Sequence, residues 1–411
     1  MKYGLIGEHL GHSYSKQIHE RISDYTYELH PVSPQGLESF VRSDDYTGIN
    51  VTIPYKKAVI PLLDEISDEA RRIGSVNTIV RRNGGLYGYN TDYYGFMYMA
   101  KRAGISFAHR KTLILGTGGT SVTAQAVVAD MGASEIVVVS RNADVNYENI
   151  YEHIDAEIIV NTTPVGMYPD NAGRIVALDR FPKLHAVLDV VYNPLRTNLV
   201  LDARALGIKV SGGLAMLVYQ AVAAAELFTG EKVSNALSES IIKQMYERFQ
   251  NIVLIGMPGC GKTTVGRELA ARMNREFIDI DACIVAKEGL PIPQIFALRG
   301  EAEFRALEHA CVAKMSTNAG VIIATGGGTI LDPENMRALT RNGRIYYLDR
   351  SIEQLPTDGR PLSAGNRALE TLYKERHSLY IDYSDVCIDC NNTVEDVSRV
   401  IEEDFYEAAG H

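Results

Sequence analysis

Hydrophobic and polar positions change their spacing several times along this chain, and each change marks an element boundary. Over residues 1 to about 100, short β-like runs alternate with helical ones, which predicts an α/β arrangement. Between about 105 and 212 the order is an apolar strand at 112–115, a glycine turn at 116–119, a helix at 121–131 and a strand at 135–139. Strand, turn, helix, strand is a βαβ unit with parallel strands. Helical periodicity returns from about Leu214 to Phe249, and a new strand opens at Asn251. The longest apolar stretch, 215–228, is broken by Gln220 and Glu226 and is too short to cross a bilayer, so it reads as a packed helix. No repeat or low-complexity linker appears, so the two halves join within a few residues of 247–251.

Length and composition narrow the class. At 411 residues the chain exceeds the size at which single cores stop growing, ~250–300 residues, so two or three domains are expected. Its 46% hydrophobic and 22% charged content is that of a soluble globular protein. A net charge of -10 argues against a nucleic-acid binder or a membrane-surface protein, so anionic ligands need local basic groups. All five cysteines lie from Cys260 onwards, which fits a reducing, cytoplasmic setting rather than a disulfide framework. Cys387 and Cys390 have C-x-x-C spacing, but in a strand-like run they point to opposite faces, which disfavours a shared metal. Residues 1–7 show no long apolar signal region.

Two glycine loops, 140 positions apart from 116 to 256, promise different chemistry. Gly116-Thr117-Gly118-Gly119, followed by Thr120, lets backbone approach a pyrophosphate at a helix N-terminus, as in dinucleotide-binding domains. At the end of the second strand, where an NAD enzyme places an acid, stand Ser140 and Arg141, and arginine suits the 2′-phosphate of NADP. A solvated loop arginine is the plainer alternative. Gly256-Met257-Pro258-Gly259-Cys260-Gly261-Lys262-Thr263, followed by Thr264, is a complete P-loop after a strand. Its N–H groups would cradle phosphate, Lys262 would reach the β/γ oxygens, and Thr263 would ligate Mg²⁺.

Polar clusters before and after the first loop add substrate chemistry. They are Ser13-Tyr14-Ser15, Asn50-Val51-Thr52-Ile53-Pro54-Tyr55-Lys56, Ser75-Val76-Asn77-Thr78 and Asn90-Thr91-Asp92. Asn161-Thr162-Thr163-Pro164-Val165-Gly166-Met167, Asp189 to Pro194, and Gly213 to Gln220 follow. Each of the first four, taken alone, is more often a turn or cap than a site. Together and in this order, residues 1–245 resemble shikimate dehydrogenase. The resemblance implies that Ser13 and Ser15 hold a carboxylate, Lys56 and Asp92 form the catalytic pair, and Asn77 and Gln220 hold ring hydroxyls. It also implies substrate contacts at Asn50, Thr52 and Tyr192, and cofactor contacts at Asn161, Thr162, Thr163 and Gly213. A lysine beside an aspartate can donate a proton to a developing alkoxide. One departure is that 142–158 is short for a helix plus a strand, so the adenosine side is expected to be trimmed.

The second half carries a strand-end D-x-D at Asp279 and Asp281, and Phe304-Arg305-Ala306-Leu307-Glu308 on a helical run. Gly326-Gly327-Gly328 follows a strand at 321–324, Gly359-Arg360-Pro361-Leu362 reads as a mobile loop, and Arg376 lies in a helical run. Over 250–404 this set resembles shikimate kinase. By that resemblance Asp281 activates the acceptor hydroxyl, Asp279 assists at Mg²⁺, and Arg305 and Arg376 clamp a carboxylate. Gly326, Gly327 and Gly328 back the ring, and Arg360 touches the phosphates of ATP with Gly256, Gly259, Cys260, Gly261, Lys262, Thr263 and Thr264. Glu353 stands where many relatives carry an arginine, so an adenine contact is not expected there.

The expected fold is an α/β substrate domain (1–102, completed by helices of about 213–248) and a Rossmann-type NADP domain (103–212). A P-loop α/β/α kinase domain with a parallel sheet follows (250–411). The expected function is bifunctional: NADPH-dependent reduction of 3-dehydroshikimate, then ATP- and Mg²⁺-dependent phosphorylation of shikimate. The partners are these small molecules, with neither nucleic acid nor membrane. Two alternatives stay open at this point, an NAD-preferring quinate/shikimate dehydrogenase and a non-catalytic nucleotide-sensing module.

Overall fold

Strand-forming stretches assemble into three separate sheets. A computed structural model of the chain describes residues 2–11, 13–355 and 366–409, with side chains of the last segment from 369. Contacts divide the chain into two units, Met1–Asn193 with Thr197–Lys243, and Pro194–Arg196 with Gln244–His411.

The first unit holds two sheets. One is mixed: β1 (Tyr3–Gly7), β2 (Tyr27–Pro31), β3 (Gly48–Val51), β4 (Glu65–Ile66), β5 (Thr78–Arg82) and β6 (Gly85–Tyr89), in the order β2-β1-β3-β5-β6-β4. β5 and β6 form a hairpin through Asn83-Gly84, both with positive φ (50° and 80°), the turn chemistry that matches strand twist. The other sheet is parallel: β7 (Lys111–Leu115), β8 (Glu135–Val139), β9 (Ile158–Asn161), β10 (Ala186–Asp189) and β11 (Lys209–Ser211), in the order β11-β10-β9-β7-β8. The chain leaves β7 for β8 on one side and β9 on the other, so the first glycine loop lies at the topological switch point.

Among the described residues before Asn251 lie the helices α1 (Ser15–Ile22), α2 (Leu37–Arg42), α3 (Asp68–Ile73), α4 (Thr91–Arg102), α5 (Gly119–Asp130), α6 (Asn198–Ala205), α7 (Leu214–Thr229) and α8 (Asn235–Phe249). α4 and α7 meet so closely that a Cβ on Gly95 would stand 2.7 Å from the Met216 carbonyl oxygen. That approach brings the first turn of α4 and the middle of α7 to one cavity.

Two features of this part follow the sequence reading and have local causes. The periodic run 214–249 is two helices, because Gly230 (φ 76°) ends α7 in a left-handed cap. α8 then runs to Phe249, leaving Gln250 alone before the next strand. Between β8 and β9 there is only a 3₁₀ turn, Ile150–His153. Asn146 and Asn149 cross-bond there, Asn149 Oδ1 accepting from Asn146 N (2.7 Å) and Asn146 Oδ1 from Glu148 N (2.9 Å), which offers the backbone an alternative to helix.

The second unit's sheet is fully parallel: β12 (Asn251–Ile255), β13 (Phe277–Asp279), β14 (Ile322–Ala324), β15 (Gly343–Asp349) and β16 (Val386–Asp389), ordered β13-β14-β12-β15-β16. Its helices are α9 (Lys262–Met273), α10 (Ile280–Glu288), α11 (Ile292–Met315), α12 (Pro333–Thr340), α13 (Asn366–Tyr383) and α14 (Val394–Ala408). Gly300, at φ 81°, kinks α11 into two helices. β12 is wholly buried, as expected of a central parallel strand covered on both faces. Cys387 is exposed and Cys390 buried, so the pair does not share a face. Among the described residues no helix is long and apolar enough to cross a membrane.

Candidate active sites

The first cavity, about 480 Å³, gathers side chains from positions 5 to 220. Lys56 Nζ lies 2.6 Å from Asp92 Oδ2, with side chains 30% and 22% exposed, so the pair faces the cavity rather than the core. The Asn90 side chain accepts from Tyr93 N (3.3 Å), capping α4 and placing Asp92 in its first turn. Ser13, Ser15, Thr52, Asn77, Tyr192, Gly213 and Gln220 line the same space. Ser13 Oγ accepts from Ser15 N (3.2 Å), while the formal cap of α1, Tyr14, supplies no side-chain bond. Simple helix capping therefore does not account for both serines.

Beneath the cavity an amide network fixes the floor. Asn50 Oδ1 accepts from the Tyr27 hydroxyl (2.7 Å), and its Nδ2 donates to Thr78 Oγ1 (2.9 Å) and Asn77 O (3.3 Å). Asn77 Oδ1 accepts from Thr91 N (2.7 Å). Both amide donors of Asn50 are thus engaged, and what it offers a ligand directly is reduced to a remaining acceptor position. Gln220 Nε2 donates within its own helix, to Leu217 O (3.0 Å).

At the switch point Gly116 takes φ 107°, and Ser121 Oγ donates to its carbonyl (2.6 Å). Gly118 caps α5 without a side-chain bond, and nothing lies within 4 Å of where a Cβ on Gly118 or Gly119 would stand. Open space over uncapped N–H groups is what a pyrophosphate requires. Thr120 reaches from this turn to the first cavity. Ser140 and exposed Arg141 follow β8, where Ser140 N donates to Val145 O (3.1 Å). Asn161 is fully buried: Nδ2 donates to Asp189 Oδ1 (3.0 Å), and Oδ1 accepts from Thr163 N (3.0 Å) and Oγ1 (2.7 Å). Thr162 Oγ1 donates to Leu115 O (2.6 Å). These three residues brace the ends of β7, β9 and β10, with Asn161 buried and the two threonines half-buried. Burial pushes the Asp189 carboxyl up to about 6, against bonds from Thr197, Val191 and Asn161.

The second cavity, about 580 Å³, joins the P-loop to α10, α11, α13 and the glycine triplet. Lys262 is buried and donates to the carbonyls of Gly256 (2.7 Å) and Met257 (2.9 Å). Thr263 Oγ1 donates to Asp279 Oδ2 (2.7 Å), while Asp279 Oδ1 caps α10 through Ala282 N (3.1 Å). A hydroxyl and a carboxylate side by side are hard oxygen donors suited to Mg²⁺, which keeps most of its water and phosphate ligands. Asp281, read from sequence as strand-end, lies in the first turn of α10 because that cap starts the helix one residue earlier. Burial raises its carboxyl to about 6, helped by Asp279 and Glu308.

Arg305 Nη1 is 2.7 Å from Glu308 Oε2 and its Nη2 3.2 Å from Glu301 Oε1. Arg376 Nη1 donates to Gly327 O (3.0 Å), and the Tyr380 hydroxyl to the same oxygen (2.6 Å). Each triplet glycine is crowded by a different neighbour: a Cβ would meet Glu308 at 2.7 Å from Gly326, the Pro258 ring at 2.7 Å from Gly327, and the Arg305 guanidinium from Gly328. Cys260 turns its thiol inward, 2% exposed, and its N–H donates to Met257 O (3.2 Å), so it supports the loop from within. Arg360 lies outside the described residues, and Glu353 is exposed in a 3₁₀ turn.

Residues 5–79 match the model of the shikimate dehydrogenase substrate binding domain, and residues 258–405 match that of shikimate kinase. A shikimate dehydrogenase (NADP(+)) of Clostridium perfringens is 38% identical over 268 residues, covering 60% of this chain and 99% of the relative. The chain belongs to the shikimate dehydrogenase family. A chorismate mutase/shikimate 5-dehydrogenase fusion from Clostridium acetobutylicum is 34% identical with a TM-score of 0.57, covering 60% of this chain and 97% of that one. The Thermus thermophilus shikimate 5-dehydrogenase in complex with NADP(H) and shikimate is 30% identical, TM-score 0.54, covering 59% and 99%. With the kinase match, the chain is a bifunctional enzyme joining a shikimate dehydrogenase to a shikimate kinase domain.

Sequence reasoning left some lining residues of both sites without a role. In the dehydrogenase cavity these include His9 and Tyr14, whose ring stands edge-on to Tyr192 at 6.2 Å. Their signal was adjacency to the serine pair. In the kinase cavity Glu308 is 1% exposed and bonds both Arg305 and Thr329 Oγ1 (2.7 Å). A glutamate three residues after an arginine on a helix is a visible pair; its burial is not.

Proposed function

We propose that the dehydrogenase cavity reduces 3-dehydroshikimate to shikimate with NADPH, and that the kinase cavity phosphorylates shikimate with ATP. The observation that carries this is the convergence of Lys56, Asp92, Ser13, Ser15, Asn77 and Gln220, scattered over the chain, around one space. When bound, NADPH supplies the hydride to the C3 carbonyl carbon. Lys56 donates a proton to the carbonyl oxygen as charge develops there, and Asp92 orients the ammonium at 2.6 Å. Ser13 and Ser15 hydroxyls hold the carboxylate, while Asn77 and Gln220 hold ring hydroxyls. Thr52 and Tyr192 close the cavity, and Asn50 keeps Asn77 in place. Exposed Arg141 pairs with the 2′-phosphate, which favours NADP over NAD.

In the kinase site Asp281 accepts the proton of the attacking 3-hydroxyl, and Arg305 and Arg376 hold the carboxylate. Mg²⁺, held through Thr263 with Asp279 beside it, supplies charge neutralisation at the phosphates when ATP is bound. Lys262 must exchange loop carbonyls for phosphate oxygens to stabilise the transferring group. The oxygen that Lys56 protonates in the first reaction is the one phosphorylated in the second. Five free cysteines fit a reducing compartment, and we place the enzyme in the cytoplasm. The test is NADPH oxidation on adding 3-dehydroshikimate, followed by ADP release on adding ATP. Absence of the first signal removes the dehydrogenase reading, and absence of the second with added shikimate removes the kinase reading.

A further inference from the structure

We propose that Asp130, the last residue of α5, is a positioning residue for hydride transfer that ties the cofactor helix to the segments carrying Asn77 and Asp92. This rests on the dehydrogenase reading above. Arg72, on α3, donates from Nη1 to Asp130 Oδ1 (2.8 Å) and from Nη2 to Oδ2 (2.5 Å). The Tyr93 hydroxyl donates to the same Oδ2 (2.7 Å). Tyr93 is the neighbour of Asp92, and Arg72 stands five residues before Asn77. A single carboxylate therefore holds, from outside the cavity, the helix that precedes Asn77 and the helix that carries Asp92.

Asp130 does not suit its own helix. A carboxylate at a helix C-terminus opposes the macrodipole, and α5 has no basic residue in its last turn. Its stabilisation comes from across the contact, where bonds from Arg72 and then Tyr93 hold its carboxyl down at about 2. The Arg72 and Asp130 side chains are 50% and 34% exposed, so the pair contributes little to global stability. Its leverage is geometric. The 12 residues of α5 end at the glycine turn on the other side, and a tilt of the helix by roughly 3–4° moves that turn by about 1 Å. Displacements of that size are costly where a hydride must meet one carbon.

The experiment uses the full chain with NADPH deuterated at the transferred position. Asp130→Asn should lower the dehydrogenase kcat by about tenfold. KM for 3-dehydroshikimate should stay near wild type, the isotope effect on kcat should rise, and neither melting temperature nor shikimate phosphorylation should move. Tyr93→Phe should show the same pattern more weakly, and Arg72→Lys, which loses the bidentate geometry, should fall between. A kcat and isotope effect at wild-type values in both Asp130→Asn and Tyr93→Phe would overturn the proposal, as would a rate loss that follows a lowered melting temperature. If Asp130→Asn does not fold, Tyr93→Phe, which removes one hydroxyl, decides alone. If the wild type oxidises no NADPH, the dehydrogenase reading itself falls; if it does and the variants match it, only this proposal falls.

Discussion

The two cavities hold their charges in different states. In the dehydrogenase cavity Lys56 and Asp92 already face each other at 2.6 Å, partly exposed and ready for a ligand. In the kinase cavity the corresponding groups are engaged elsewhere: Lys262 bonds its own loop, Arg305 bonds Glu308 and Glu301, and Arg376 bonds Gly327. A neutral ketone needs one proton donor in place. A transferring phosphoryl group carries several charges, and cations without it would sit unpaired in a partly buried site. The kinase side chains therefore start from partners that ligands can replace, whereas the dehydrogenase starts assembled.

The largest expected effects separate the two sites. Lys56→Ala should cost the dehydrogenase about 10²–10⁴ in turnover, the span of general acid–base catalysis, and leave phosphorylation of added shikimate unchanged. Lys262→Ala should do the reverse. Loss of both activities in a folded variant of either would break the comparison.

Asp281 sharpens it through pH. With its carboxyl raised to about 6 by burial, the proposed acceptor-side base is protonated below that pH, so kinase turnover should rise through pH 6 while the dehydrogenase has no such step from this residue. The folded state holds this proton between the ordinary 3.8 and about 6, so stability contributed at low pH is lost as pH climbs through that window. Asp281→Asn should abolish phosphorylation yet stabilise the kinase unit by roughly 3 kcal/mol above pH 6, with no gain below pH 4. Calorimetry at both pH values checks the sign.

Arg141→Ala asks whether the cofactor side of the dehydrogenase is as well formed as its substrate side. KM for NADPH should rise about ten- to hundredfold, the worth of a charge-assisted contact, with NADH kinetics unaltered. The smallest effect is expected from Gly95→Ala. Its methyl would press on the Met216 carbonyl and spread α4 from α7, costing about 1–3 kcal/mol and weakening 3-dehydroshikimate binding through Asp92 and Gln220.

Much of this was legible in the chain. The P-loop announces itself because Gly256, Gly259 and Gly261 all take positive φ, as Gly116 does in the first glycine turn, and periodicity located β7, α5, β8 and β12 to within a residue or two. What stayed hidden depends on side chains choosing between neighbours. Nothing in the sequence around Asn161 shows that Asp189 holds its amide. Asp281 reads as a strand end until Asp279 is seen to cap a helix there. Arg72, Asp130 and Tyr93 have no local signature, since their meeting depends on how three helices pack.

The glycine triplet also limits how the kinase site can be altered. Its three members are blocked by Glu308, Pro258 and Arg305 in turn, so no single enlargement of that floor is accommodated without displacing a working residue. A library aimed at new acceptor alcohols is best spent on the rest of the cavity wall, at Val285, Pro293, Phe296 and Leu372, which line the same space. The floor is the part of the site least free to drift, and the wall is where new substrates would be won.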